Sequence, residues 1–576
     1  MAPRVWLGYT KGASAVSTST ASLGQNYGEV FTRRWVVDTL LDLTGYTVNR
    51  DLGALTLVEP AAGSGAFLLP VVERLLDSAD LQGRPAATLG SAIRAWELRK
   101  QNAEVCRERV RAFLIERGVT SADAQSLMND WIVVGDFLLP DDDLFTAGSG
   151  PVLADVVIGN PPYIRLEDLP ESLTNAYRRR WSTMGGRADV YIGFMERSLS
   201  VLRPGGRVGF ICADRWMRNQ YGTGLRRLIA LRFSVEHVWA MHDVDAFESQ
   251  VSAYPAITVL RTGVQGEVVA AETKKEFGRA AAAQLVEWSK RSTERREFMA
   301  PGVAAHRLTG WFGGDKSWPT GSPARLRLIE YLNENFGPLH DVGTGTKVSI
   351  GVATGADQVF ITKDVSVVEP SRLLPLSMVC DIGSGQFTWS GHYLVDPWGK
   401  SGRLVNLTKH PGLRDYLMSA GAVLHERHVA KKAPHAWYRT IDKVHHDVTD
   451  RPKLLLQDMR TTINPVLEPG GYYPHHNLYF IVSDTWDMEI LGGLLLSRVA
   501  QAFIEAYCVR MRGGTLRFQS QYLKRIRVPE PSAIDTRKQD ALRVAFRERD
   551  IEGATAAAAA VYGITLKDYD LDRAVF

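Results

Sequence analysis

A chain of 576 residues exceeds what one core usually holds at roughly 100 to 200 residues per domain, and it predicts two large domains with a connector. With 45% hydrophobic and 23% charged residues, the composition excludes collagen-like, low-complexity and mucin-like chains. The 68 basic and 64 acidic residues leave a net charge of only +4, so any attraction for nucleic acid has to come from local clustering. No run approaches the ~18 apolar residues that a membrane span needs, and the start MAPRVWLGYTKGAS lacks the apolar core of a secretory signal. These features predict a cytoplasmic enzyme with no membrane attachment. Cys106, Cys212, Cys380 and Cys508 lie far apart and form no CxxC pair, which argues against a disulfide framework or a cysteine zinc site and predicts reduced, mostly buried thiols.

Residues 1–23, rich in Ser, Thr, Ala and Gly, read as a flexible arm, with order beginning near Gly24. Phe31, Trp35, Val36, Leu40, Leu41 and Leu43 then fall near helical spacing, with Thr32 where an N-cap would stand. ALTLVEP reads as a buried strand, followed by a glycine turn and an apolar helix over Phe67 to Leu76. Further strands recur at AIRAWEL, DWIVVGDF, ADVVIGN, GRVGFICA, VEHVWAM and AITVLRT, with helical stretches between several of them, such as Arg99 to Glu116 and Asp189 to Val201. This alternation predicts an α/β domain over 24–265, built on a doubly wound parallel sheet with its sites at the carboxyl ends of the strands. Residues 266–334 supply strand and helix pieces without that rhythm and read as a connector. Residues 335–531 carry short strands and turn clusters such as GTGTKVSIGVATGAD and CDIGSGQF, and read as a second, mixed domain. Residues 532–576 include a helix-prone segment running into ATAAAAAVYG, which reads as a packing or capping tail.

The first chemical signal is EPAAGSGAF, where a strand ends in Glu59 and passes through Gly63 and Gly65 into a helix. Glycines there let backbone approach a ligand, and a strand-end acid accepts hydrogen bonds from an amine; the same residues also suit a plain tight turn. The phosphate-loop ending Gly-Lys-Ser/Thr is missing. Glu97 ends the next strand, where a carboxylate can take both ribose hydroxyls, and Asp136 follows another, where it can receive an adenine amino group. Each acid alone also fits a helix cap or a solvated turn. Three in order on successive strands resemble the cofactor pocket of Rossmann-like S-adenosylmethionine methyltransferases.

The strongest signal is Asn160-Pro161-Pro162-Tyr163, at the end of a fourth strand. Two prolines cannot continue a strand, so they force a rigid exit at the sheet edge. Such an exit suits an acceptor pair. An exocyclic amine conjugated to its ring is a poor nucleophile, but if the Asn160 side-chain oxygen and the Pro161 carbonyl each take one N–H, its lone pair is freed toward a methyl donor. Tyr163 would stack on the base.

With these motifs in order, the sequence resembles a DNA adenine-N6 methyltransferase of the gamma arrangement, as found in restriction-modification systems. The likeness runs from GQNYGEVFTRRWVVDTLLDL through EPAAGSGAFLLP, VGDFLLP, NPPYIRL and FESQVSAYPAITVL to GGTLRFQSQYLKRIRVP. It implies a Rossmann-like S-adenosylmethionine-dependent domain followed by a mixed α+β target-recognition domain. By the same resemblance Phe31 and Thr32 enclose the cofactor's methionine end. Glu59, Pro60, Ala61, Gly63 and Gly65 hold its amino acid part, Glu97 with Leu98 its ribose, and Asp136, Phe137 and Phe194 its adenine, while Asn160 borders both cofactor and target. Phe247 matches the aromatic that meets the target base opposite Tyr163, and is also a plausible core residue. The family usually carries Asp-Pro-Ala-Cys-Gly where this chain has Glu59-Pro60-Ala61-Ala62-Gly63, so the acid is kept. The implied partners are duplex DNA and a separately encoded endonuclease or defence-system protein. Methylation of cytosine N4, RNA adenine or protein glutamine, or a place in a larger nuclease complex, are the alternatives.

The second domain carries a basic run without acids: Arg510, Arg512, Arg517, Lys524, Arg525 and Arg527, interleaved with Phe518, Gln519, Gln521 and Tyr522. Such a run can neutralise phosphates while amides reach base edges, with Arg517 the expected base reader; its bland reading is a solvated face. The pairs His445-His446 and His475-His476 have no acidic or cysteine partner at ligand spacing, and no metal site is expected.

Overall fold

The computed structural model describes residues 31–139, 153–248, 254–291, 295–508 and 515–572. The arm expected at 1–23, Arg510 and Arg512 lie outside the described residues. The chain divides into two compact units, one of Met1–Asp214, Arg227–Gln265 and Thr273–Arg291, the other of Arg215–Arg226, Gly266–Glu272 and Ser292–Phe576. The span read as a connector is thus divided between them.

The first unit is an α/β sandwich. Its strands are β1 (Leu57–Glu59), β2 (Ile93–Glu97), β3 (Ile132–Val134), β4 (Ala154–Gly159), β5 (Leu202–Ala213), β6 (Phe233–Ala240) and β7 (Pro255–Thr262). Their order in the sheet is β3-β2-β1-β4-β5-β7-β6. The pairs from β3 across to β5 are parallel. Strand β1 is buried along its whole length, as expected where helices cover both faces. The wholly parallel sheet expected from the sequence is corrected at β7, which runs antiparallel to both β5 and β6. A parallel return needs a crossover, usually a helix, and the described part of the β6–β7 connection contains none.

Helix α1 (Arg34–Thr44) buries Val36, Val37, Leu40 and Leu41 and stops at Gly45, whose φ of 77° suits glycine. Thr32 does not cap it. The N-cap is Arg33, with no side-chain bond, because the backbone before it is taken up elsewhere: the Arg33 N–H donates to Ala246 O and the Glu248 N–H to Phe31 O. Helix α2 (Leu68–Gln82) follows the glycine turn, and α3 (Lys100–Glu116) follows β2. The helix Arg279–Lys290 buries Ala281, Ala282, Leu285 and Val286, and just before it Phe277 meets Trp35 of α1 edge-on at 5.7 Å. Strand β1 lies between β2 and β4, so the strand order reverses at its carboxyl end, where α/β sheets hold ligands.

The second unit is mixed α+β. One four-stranded antiparallel sheet runs Lys347–Ile350, Leu478–Val482, Lys453–Gln457, Val466–Glu468. A second four-stranded sheet, mixed because its last pair is parallel, runs Ile361–Thr362, Tyr393–Val395, Leu373–Ser377, Tyr473–Pro474. Lys453 and Glu468 form a fully buried ion pair, and the ammonium also donates to the Thr449 and Tyr472 carbonyls at 3.1 Å, which offsets its desolvation. The tail does more than cap: its helices Thr536–Glu548 and Ile551–Tyr562 put Leu542, Phe546, Ala558 and Tyr562 into the same core as helix Met488–Leu496. That contact needs glycine, since a Cβ on Gly493 would stand 2.5 Å from Leu542 O. Among the described residues no single helix is long and apolar enough to cross a membrane.

Candidate active site

The site grows from the carboxyl ends of β1, β2 and β4. Glu59 closes β1 with 1% exposure, and among the described residues neither of its carboxylate oxygens has a hydrogen-bond partner. Burial pushes its carboxyl group up to about 8, and the charge of Glu97 adds to the shift. After it the chain turns through Gly63 (φ 54°) and Gly65 (φ 94°), both left-handed. A side chain at residue 65 would also press on Cys106 Sγ, 3.2 Å from the Cβ position. The turn is tied to β2: the Ala62 N–H donates to Trp96 O at 2.8 Å, and the Gly63 N–H to Glu97 Oε2 at 2.9 Å. The other Glu97 oxygen accepts the Arg99 N–H at 2.8 Å. Glu97 therefore braces the turn, and each oxygen keeps a second lone pair for a ligand hydroxyl.

Beyond β3, Asp136 accepts the Leu138 N–H on one oxygen at 2.8 Å and the Tyr177 hydroxyl on the other at 2.7 Å. Phe137 is buried between aromatic neighbours, 5.3 Å from Phe194 and 5.4 Å from Trp96, with the Arg197 guanidinium 4.2 Å from its ring centre. Leu98 points largely to solvent. Tyr177 and Arg197 are absent from the sequence reading, since they come from helices Glu171–Arg180 and Tyr191–Ser200 with no spacing that relates them to Asp136.

At the end of β4, Asn160 Nδ2 lies 3.4 Å from Thr32 Oγ1. Thr32 forms an isolated antiparallel bridge with Phe247, so residues from the start, middle and end of the unit meet here. Phe247 is 6% exposed, Pro161 is buried, and Pro162, Tyr163 and Phe31 are half-buried. The Tyr163 hydroxyl is 3.5 Å from Ile211 O on β5, and its ring meets Tyr191 edge-on. Pro60 packs against the end of β4, with its Cδ 3.5 Å from the Cβ position of Gly159. An orphaned buried carboxyl, two glycines in left-handed turns and an acid at the end of the next strand fit a ligand with an ammonium group and a nucleoside.

Residues 145–247 match the Eco57I restriction-modification methylase family. Over 550 residues the chain is 41% identical to the type II methyltransferase M.XhoI of Xanthomonas vasicola, covering 94% of this chain and 98% of that one. The chain belongs to the type II restriction-modification methyltransferases. The methyltransferase M.PaeR7I of Pseudomonas aeruginosa is 42% identical over 544 residues, 93% of this chain and 92% of its own. Among solved structures, the type IIL restriction-modification enzyme MmeI bound to DNA has a TM-score of 0.48 at 11% identity, covering 92% of this chain and 74% of that one. As a DNA methyltransferase of this fold, the enzyme uses S-adenosylmethionine.

The basic run in the second unit of the methyltransferase is split by its surroundings. Arg517 is exposed on a short strand, with Asp458 3.7 Å away, and the exposed Gln521 amide donates to Gln519 Oε1 at 2.8 Å. Lys524 is half-buried. Arg525 and Arg527 are half-buried and also make contacts inside the fold. Arg525 lies over the Tyr507 ring at 4.0 Å and donates to Ser317 O at 3.0 Å. Arg527 donates to Asn333 Oδ1 at 2.8 Å, and burial lowers its guanidinium. Phe518 and Tyr522 are core residues, so the aromatics of the run face inward and carry these two arginines with them. The histidine pairs also gain partners that spacing hides: His446 Nε2 is 2.7 Å from Asp396 Oδ2, and Asp357 joins His475 and His476.

Proposed function

We propose that the enzyme methylates the exocyclic N6 of an adenine turned out of duplex DNA. The reading rests on one observation above all, the placing of Asn160-Pro161-Pro162-Tyr163 at the carboxyl end of β4, with Thr32 on the amide and Phe247 bridged to Thr32. S-adenosylmethionine supplies the methyl group as an electrophilic carbon on a sulfonium sulfur. Glu59 receives its ammonium group, the turn through Gly63 and Gly65 makes room for its amino acid part, and Glu97 takes ribose hydroxyls. Asp136, already held by Tyr177 and the Leu138 N–H, receives the adenine amine, and Phe137 and Phe194 line the ring.

Asn160 does the chemical work on the target. With its Nδ2 turned to Thr32, the amide offers its oxygen to one N–H of the target amine, and the Pro161 carbonyl takes the other. Holding both N–H groups turns the nitrogen toward sp3, which takes its lone pair out of conjugation with the ring and frees it for attack, the proton leaving during or after transfer. Tyr163 and Phe247 replace part of the stacking that an extruded base gives up, worth roughly 1–3 kcal/mol per base. The DNA methylated in the cytoplasm would be that exposed to a separately encoded endonuclease of the same specificity.

Digestion of methylated DNA to nucleosides and mass spectrometry tests the target atom: N6-methyladenine is expected, and N4-methylcytosine in its place overturns the reading. Asn160→Ala should lower turnover by at least on the order of 10², with S-adenosylmethionine affinity nearly unchanged. Wild-type turnover in that variant removes Asn160 from the chemistry. A duplex with 2-aminopurine at the target should brighten on binding if the base leaves the stack.

A further inference from the structure

Three possible metal ligands converge in the second unit. His475 Nε2 lies 3.3 Å from Asp357 Oδ2 and 2.9 Å from His476 Nδ1, and one ligand atom of each residue lies within 4.8 Å of the others. The backbone holds them there. The His475 N–H donates to Ser377 O at 3.0 Å, the His476 N–H to Val352 O at 3.1 Å, and the Val352 N–H to Pro474 O at 2.9 Å. Segments 351–352 and 474–475 touch so closely that a Cβ on Gly351 would stand 2.2 Å from Pro474 O. The second oxygen of Asp357 accepts the Thr354 hydroxyl, which fixes the carboxylate plane.

Without a cation, one proton on His475 Nε2 has to serve both the Asp357 carboxylate and a His476 Nδ1 lone pair. A ring nitrogen carries either a proton or a lone pair. If His475 Nε2 donates to Asp357, it cannot accept from His476. If it accepts from His476, its lone pair faces a carboxylate. A cation at the common focus is met by a lone pair from all three residues. Zinc–nitrogen bonds of about 2.0–2.1 Å in a tetrahedron imply ligand edges of roughly 3.3 Å, against 3.3 and 2.9 Å for the two pairs that share His475 Nε2.

We propose that Asp357, His475 and His476 bind one divalent transition-metal ion of the zinc class. Two imidazoles and a carboxylate are its usual donors, whereas magnesium and calcium take oxygen ligands. The His475 side chain is 3% exposed and that of Asp357 46%, so the fourth position opens to water. The ion ties the loop at 354–357 to the strand end at 474–476, and so braces the fold of the second unit.

The test uses full-length protein without a histidine tag, stripped with a chelator, desalted and titrated with Zn2+. One equivalent should bind, and it should raise the melting temperature. Co2+ in its place should give a visible ligand-field band. Asp357→Asn and His476→Ala should each weaken binding at least about tenfold and abolish the band while the apo melting temperature stays near that of the parent. Absence of a stoichiometric ion in the parent overturns the site, as does equal binding by the parent and both variants.

Discussion

Glu59 is a buried carboxyl group, and among the described residues no hydrogen-bond partner stabilises its charge, so its protonation is open to measurement. Its folded value of about 8 lies above the ordinary 4.5, so between those limits the folded chain holds a proton that the unfolded chain has released. Stability of the ligand-free protein from this group is therefore fully present below about pH 4.5 and is lost as pH rises through about 8; Glu59→Gln should flatten that slope in thermal melts. An ammonium group beside Glu59 reverses the preference, so cofactor binding near pH 7 should release up to about one proton, read by calorimetry in two buffers of different ionisation enthalpy. Zero release would mean that another residue meets the ammonium. The positions of Glu59, Glu97 and Asn160 were readable in the sequence because each ends a strand, and strand ends in such sheets face the ligand. Tyr177 and Asp357 were not, because no sequence spacing connects them to Asp136 or to His475.

At the scale of elements, the glycine turn after β1 shows how backbone conformation and function separate. Gly65→Ala should cost about 1–2 kcal/mol for its left-handed φ and should also weaken cofactor binding, since the turn abuts Cys106 and Glu97. Gly83→Ala, at φ 64° with nothing within 4 Å of the added Cβ, is the matched control and should cost similar stability with unchanged affinity. Melting curves and calorimetry on the two variants distinguish strain alone from a role in the site; equal affinity in both would remove the turn from it. Element types along the first unit follow from periodicity. What periodicity could not give is pairing at a distance: Thr32 has the side chain of a cap, but residues 31–33 gain backbone bonds from 246–248, and this pairing decides its conformation. The same holds for β7, whose composition is that of any buried strand and whose direction is set by its connection.

For the whole molecule, salt dependence should separate the basic residues. Lys524→Ala should lower the log-log salt slope of DNA binding by about one, whereas Arg525→Ala and Arg527→Ala should leave the slope and lower the melting temperature, having lost internal bonds. Three equal changes in slope would return the latter two to the DNA surface. Domain boundaries also make a prediction. A fragment ending at residue 265 lacks helix Arg279–Lys290 and uncovers Trp35, and should aggregate; one ending at Arg291 keeps that helix and should bind S-adenosylmethionine. Soluble cofactor binding by the shorter fragment would place the boundary where the sequence put it. The chain enters the second unit twice before settling there, at Arg215–Arg226 and Gly266–Glu272. The first of these segments is clasped: Trp216 meets Trp318 at 5.4 Å, the Trp318 N–H donates to Met217 O at 2.7 Å, and Arg226 donates to the Asp315 and Lys316 carbonyls. Genetic exchange at a single crossover after residue 291 would graft a foreign second unit onto two native segments that it must still clasp. Only donors with a tryptophan at 318 and the same path through 315–318 would accept them. For this chain, exchange of the whole second unit takes five coordinated crossovers, two around each early segment and one after residue 291, where a chain entering the unit once would need a single shuffle.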